Sequence, residues 1–274
     1  MSGKASFGIA NEKGEGSNPF YRSHGDVAEW LRRGLQNLVH RFDSGRRLQT
    51  MISITGSGEY LDSIRTVDSE LLNKLKDPYV LTFPTAAGQE SSNRIDYWSD
   101  LANEHFSKLG VRHKDFQALD SEALNSSEIL EEVEKANFIY FSGGSPNYLY
   151  SQIVNTSFHE LIRTIHIENG ILAGCSAGAM IMGEKMIKGT GLCFIKNSLI
   201  IPHYGESFYS WLTNTVKLLN RGKYKLICLE KDTYFVLTEN EIEIIGKQKV
   251  HIIFKDQHDT YQGNSTISLD VLKL

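Results

Sequence analysis

The stretch Ala173-Gly174-Cys175-Ser176-Ala177-Gly178-Ala179 sets a serine among small residues, with glycine two positions before it and two after. Gly174, Ser176 and Gly178 form the pattern G-x-S-x-G. In that pattern a strand turns sharply into a helix and holds the central hydroxyl clear at the strand's C-terminal end. The apolar run Gly170-Ile171-Leu172 reads as the entering strand, and Ala179-Met180-Ile181-Met182 as the departing helix. The first N–H groups of that helix, Ala177 foremost, would face negative charge developing on a substrate. A serine hydroxyl is a weak nucleophile at neutral pH and needs a base to take its proton. Nine histidines are available. His203 follows an apolar strand read over 198–202, which sets its ring at the sheet edge expected for Ser176. His105, His159 and His166 fall within helical patterns, and His251 lies in the C-terminal part. Cys175 occupies the x before the exposed tip, so its spacing assigns it to packing rather than to attack.

The elements that must position these groups alternate from Met51 onward, the mark of an α/β fold. Strands are predicted over 51–55, 79–83, 111–116, 137–141 and 198–202. Helices are predicted over 67–75, 94–109, 126–134, 158–168 and 211–219. Ser142-Gly143-Gly144-Ser145-Pro146 reads as a glycine-rich turn into a helix with proline near its first turn. From residue 226 the pattern becomes β-rich, with strands over 226–229, 234–237, 242–245 and 250–254. Glu59, Gln89, Glu90 and Arg94 come from loops after the first two strands, where such sheets build their sites. Arg94 is a candidate anchor for a substrate carboxylate.

Residues 1–50 read differently. The first 25 are rich in Gly, Ser and Asn without periodicity, and residues 26–42 carry apolar residues at helical spacing. This segment is expected to be a disordered or non-native extension with one amphipathic helix, Met51 being the natural start, and 51–274 a single domain. The split also divides charge: 8 Lys+Arg against 5 Asp+Glu give +3 for residues 1–50, and 21 against 28 give −7 for the rest. The whole chain has 274 residues and a net charge of −4. No basic stripe points to nucleic acid, and no apolar run approaches the roughly 18 to 20 residues that span a bilayer. Cys175, Cys193 and Cys228 have no paired or metal-like spacing, which fits reduced thiols in a cytoplasmic protein with no metal site.

Three pieces in order, Phe141-Ser142-Gly143-Gly144, then Gly174-Cys175-Ser176-Ala177-Gly178-Ala179, then Ile201-Pro202-His203-Tyr204, resemble the dipeptidase E and cyanophycinase family of serine peptidases. The resemblance covers about residues 51–254. It implies a fold like the class I glutamine amidotransferases, a mostly parallel, flavodoxin-like sheet flanked by helices with a β-rich C-terminal part. It implies cleavage of peptide bonds in small peptides without metal or cofactor, with Ser176 as nucleophile and His203 as base. Gly144 matches the family's second oxyanion donor, beside Ala177. The family places an acid between nucleophile and histidine, and Glu184 alone occupies that interval; Glu206 and Glu230 are rival acids. The chain departs from the family where Ser145-Pro146-Asn147 follows the glycines in place of the usual Asn-Thr, so substrate preference does not carry over. Two other readings stand beside this one. An α/β-hydrolase-type esterase would use a distant histidine, His251 or His258. A non-catalytic binding domain would keep the fold without a working triad. The pattern is silent on oligomeric state.

Overall fold

Long runs of buried apolar and β-branched residues form the central strands. A computed structural model describes residues 51–167, 170–206 and 210–273; the amphipathic pattern at 26–42 and the proposed extension lie outside them. In chain order the elements are β1 (Met51–Thr55), α1 (Arg65–Asn73), β2 (Tyr79–Phe83), α2 (Ser92–Leu109), β3 (Arg112–Asp115), α3 (Ser121–Leu124), α4 (Ser127–Lys135), β4 (Phe138–Phe141), α5 (Pro146–Ile153), α6 (Ser157–Ile167) and β5 (Ile171–Cys175). There follow α7 (Ala177–Met180), β6 (Gly183–Lys185), β7 (Ile195–Ile201), α8 (Ser210–Asn220), β8 (Lys225–Leu229), β9 (Thr233–Leu237), β10 (Glu241–Gly246), β11 (Lys249–Phe254), β12 (Gln257–Gln262) and β13 (Ser265–Ser268). No helix among the described residues is long and apolar enough to cross a membrane.

The strands form two sheets rather than one. The larger has the order β13-β10-β9-β1-β5-β4-β2-β3, and the smaller β12-β11-β8-β7-β6. In the larger, β1, β5, β4, β2 and β3 run parallel, and every residue of β1, β2, β4 and β5 is buried. Continuous burial is what a parallel sheet covered on both faces requires. The order β3-β2-β4-β5 follows the first four places of a flavodoxin-type sheet, 2-1-3-4-5. The fifth place is taken by β1, the first strand, and antiparallel β9 extends the sheet from it. The flavodoxin-like expectation therefore holds for four places only. Leu71, Phe106, Phe138, Tyr140, Tyr234 and Val236 pack together in the main core. A second cluster, with Leu199, Ile201, Leu226, Cys228 and Ile253, belongs to the smaller sheet.

This topology corrects the expectation that His203 shares a sheet with Ser176. Ser176 follows β5 of the larger sheet, whereas His203 follows β7 of the smaller. The two sheets are joined by the turn from β8 to β9, residues 230–232. β8 runs parallel to β7, with Ile201 opposite Cys228. β9 runs antiparallel to β1, with Tyr234 opposite Thr55. The C-terminal ends of β7 and β8 and the C-terminal end of β1 therefore converge on one turn. Hydrogen bonds close the corner: Tyr204 N donates to Leu229 O at 2.9 Å, and Asp232 N to Ser57 O at 3.2 Å.

Candidate active site

The elbow has the predicted form with a shorter helix. β5 ends at Cys175, and α7 spans only four residues before the chain turns toward β6. Little helix dipole is available at that length, so individual N–H groups carry whatever anion stabilisation exists. The two glycines are needed for contact: a Cβ on Gly174 would collide with the Gly178 backbone, and one on Gly178 with the Phe141 carbonyl. The elbow is thus folded tightly onto itself and against the end of β4. Ser176 adopts φ 50° and ψ −107°, a sparsely populated conformation that side chains usually avoid. His203 also has positive φ, at 55°. Strain at both positions fits a geometry imposed by the surroundings.

Ser176 Oγ lies 3.1 Å from His203 Nε2. Across the ring, His203 Nδ1 lies 3.2 Å from Glu206 Oε1, and Ser57 Oγ donates to that same oxygen at 3.2 Å. The His203 side chain is 20% exposed and that of Glu206 44%. Glu184 is placed elsewhere: it sits in β6 instead of ending the elbow helix, and its Oε2 accepts from Asn197 N at 2.8 Å. Glu230, the other rival acid, faces His251 Nε2 at 2.9 Å and accepts from Lys249 N. His251 Nδ1 lies 3.1 Å from both His258 Nε2 and Thr260 Oγ1. Both nitrogens of His251 are therefore engaged within the smaller sheet, and the ring that meets Ser176 is His203.

Behind the serine the site is closed. Ala177 is fully buried at the start of α7. A Cβ on Gly143 would stand 3.5 Å from Ser176 Cβ and 3.9 Å from its Oγ, so the glycine-rich turn runs alongside the nucleophile. Gly144 has φ 142°, and a Cβ there would collide with the Ala86 carbonyl. Ser145 fixes the turn: its N–H donates to Ala86 O at 2.8 Å, and its hydroxyl caps α5, which begins with Pro146. Cys175 is fully buried and does more than pack, because its Sγ donates to Glu59 Oε2 at 2.8 Å. Burial and the Glu59 carboxylate push its thiol well above the usual cysteine range, which opposes the thiolate that a cysteine nucleophile needs.

A cleft of about 390 Å³ opens over Ser176 and His203. Glu59, Glu90, Arg94, Glu206 and Lys231 contribute its charges, and Leu61, Tyr97, Trp98 and Leu101 an apolar wall; Gln89 is not among its lining residues. The Arg94 guanidinium lies over the Trp98 ring, 4.7 Å from its centroid, with Glu90 at 3.5 Å. The aromatic wall, Lys231 and the link from Ser57 to Glu206 escaped the sequence reading. Ser57, Glu206 and Lys231 stand in turns just after strands, whereas Tyr97 and Trp98 lie on the first half of α2. The described residues hold no group of three or more His, Cys, Asp or Glu arranged for a metal ion.

Comparison with known proteins identifies the family. The sequence model of Peptidase family S51 matches residues 51–245. A cyanophycinase of Geminocystis herdmanii (strain PCC 6308) is 29% identical over 169 residues, 54% of this chain and 61% of that protein; the match thus spans under two thirds of its length. Among solved structures, a peptidase from an acI-B1 Actinobacterium superposes with a TM-score of 0.74 at 30% identity, over 81% of this chain and 98% of that one. A protein from Listeria monocytogenes EGD-e whose description names peptidase E superposes with a TM-score of 0.54 at 16% identity, over 78% and 98%; it is alike in fold alone. The elbow, the glycine-rich turn and the strand-end histidine all lie inside the matched span, and the chain belongs to peptidase family S51.

Proposed function

We propose that the chain is a serine peptidase that cleaves small or unusual peptides through an acyl-enzyme on Ser176, within a catalytic domain at 51–274. The observation that carries this reading is the 3.1 Å approach of Ser176 Oγ to His203 Nε2. With Nδ1–H donated to Glu206, the Nε2 lone pair is left to take the serine proton. Oγ then attacks the scissile carbonyl carbon, and the proton moves to His203. The tetrahedral oxyanion is held by the N–H groups of Ala177 and Gly144. The amide of Gly143 donates to Glu59 Oε1 at 3.2 Å, which favours Gly144 for the second donor. The imidazolium, stabilised by Glu206, returns its proton to the leaving amine as the C–N bond breaks. Water, deprotonated by the same ring, hydrolyses the ester and restores Ser176. In this reading Glu206 takes the orienting role first assigned to Glu184. Arg94, held over the Trp98 ring at the cleft, anchors a substrate carboxylate. The parallel layer of β1 to β5 is read as the class I glutamine amidotransferase-like core. Three free cysteines support a cytoplasmic setting.

A fluorophosphonate probe tests the reading. It is expected to label the wild-type chain, to leave Ser176→Ala unlabelled and to label His203→Ala far more slowly. A well-folded wild type that resists the probe would instead favour the non-catalytic binding domain.

A further inference from the structure

We infer that Glu59 is a positioning residue of this site: its carboxylate staples the ends of β1, β5 and β4 together and thereby sets both the nucleophile and the second oxyanion donor. The inference rests on the serine-peptidase reading. Glu59 stands in the turn after β1 and is 6% exposed. A carboxylate so buried is costly unless its oxygens are matched by donors. Each oxygen has one: Oε1 accepts from Gly143 N at 3.2 Å, and Oε2 from Cys175 Sγ at 2.8 Å. Burial pushes the Cys175 thiol up, in keeping with its role as donor.

The three attachment points fall on neighbouring strands. β5 lies between β1 and β4, so the side chain leaves the end of one outer strand, fastens the last residue of the middle one and reaches the turn beyond the other. Each fastened residue immediately precedes a reacting group. Cys175 precedes Ser176, and Gly143 precedes Gly144. Holding the Gly143 amide also fixes the orientation of the peptide units around it, in a turn whose next residue already has φ 142°. Preorganised donors act only when held near the position that the oxyanion will occupy.

Glu59 is itself held. The next residue, Tyr60, has φ 62° and is almost fully buried. Its ring packs 5.0 Å from Tyr140 and 6.0 Å from Phe106, centroid to centroid. A left-handed backbone at a bulky residue is paid for by that packing, and it aims the preceding side chain across the strand ends. The chain of support runs from the main core through Tyr60 and Glu59 to the elbow and the glycine-rich turn.

The test is the rate of fluorophosphonate labelling in purified wild type, Glu59→Ala, Glu59→Gln and Ser176→Ala, with thermal melting of each and amide exchange at Gly143. Glu59→Ala is expected to fold, to lose protection of the Gly143 amide and to label about 100-fold more slowly, the scale expected for a reacting group misplaced by about 1 Å. Glu59→Gln, which keeps an acceptor for Gly143, is expected to fall between it and wild type, and it decides the matter should Glu59→Ala not fold. Variants that melt lower but label at the wild-type rate would reduce Glu59 to a stabilising residue and overturn the inference. So would a loss confined to KM for charged peptides, which would mean that Glu59 binds substrate directly. A wild-type chain that does not label overturns the reading of Ser176 and this role with it, whereas a labelled wild type matched by an equally fast Glu59→Ala overturns the role alone.

Discussion

The two halves of the site are built differently. On the serine side, Cys175 and Ala177 are fully buried and Glu59 nearly so, at the joined ends of three parallel strands. On the histidine side, His203 and Glu206 stand partly in solvent after the end of β7 in the smaller sheet. Ser176 is thus placed by packing and backbone strain, which permit little adjustment. His203 is placed by a turn at the junction of two sheets, where its ring is partly open to solvent. The difference implies that substitutions on the serine side act through geometry, and those on the histidine side through proton transfer and solvent-screened charge.

The largest effects are expected at the contact between the halves. Ser176→Ala should lower kcat by about a millionfold, and His203→Ala by a comparable factor, because members of one catalytic unit fail together. Next, Glu206→Gln should lower kcat by about 10- to 100-fold with KM little changed. That is less than removing a buried acid costs, because solvent shares the orienting task at an exposed carboxylate. Glu184→Gln should leave kcat within twofold of wild type. Equal losses in the two variants, measured by steady-state kinetics, would contradict the placement of Glu206. Behind the serine side, Asp68 and His105 form a fully buried pair at 2.8 Å. Asp68→Ala should cost about 1–3 kcal/mol by denaturant unfolding, the cost of leaving the buried His105 Nε2 without its hydrogen-bond partner.

The smallest effect concerns pH. Burial lowers the pKa of His113, beside Thr82 at the larger sheet's far edge, from 6.5 to about 4. Above pH 6.5 the ring is neutral folded or unfolded and makes no pH-dependent contribution. As pH falls from 6.5 toward 4 the unfolded chain takes up the proton first, so stability declines, by about 3 kcal/mol at most. His113→Gln should flatten that slope in urea melts between pH 4 and 7.

Much of the serine side was legible in the sequence because its constraints are local. Gly174 and Gly178 are spaced by the collision that their absence of side chains avoids, β4 and β5 announce themselves as runs of apolar and small residues, and β1 and β2 as short β-prone runs broken only by Ser53, Thr55 and Thr82. The histidine side was legible only in part. His203 stands out after an apolar strand, but the sheet to which that strand belongs depends on β8 and β9 parting to different sheets, which no local pattern encodes. The orienting acid was ambiguous for the same reason: Glu184, Glu206 and Glu230 are equivalent as residue types, and only the junction of the sheets separates them. β12 and β13 went unread because edge strands such as Gln257–Gln262, largely exposed, carry polar residues on both faces. Glu59 appeared as a loop residue, since nothing in the sequence shows that Gly143 and Cys175 lie within reach of it.

The most direct test is to quench the enzyme in acid while it turns over a peptide ester and to locate the trapped acyl group by mass spectrometry. The acyl group is expected on Ser176 in wild type and absent from Ser176→Ala, with His203→Ala accumulating it at a small fraction of the wild-type rate. An acyl group on another residue, or equally rapid acylation without His203, would contradict the pairing of these two side chains across the sheet junction.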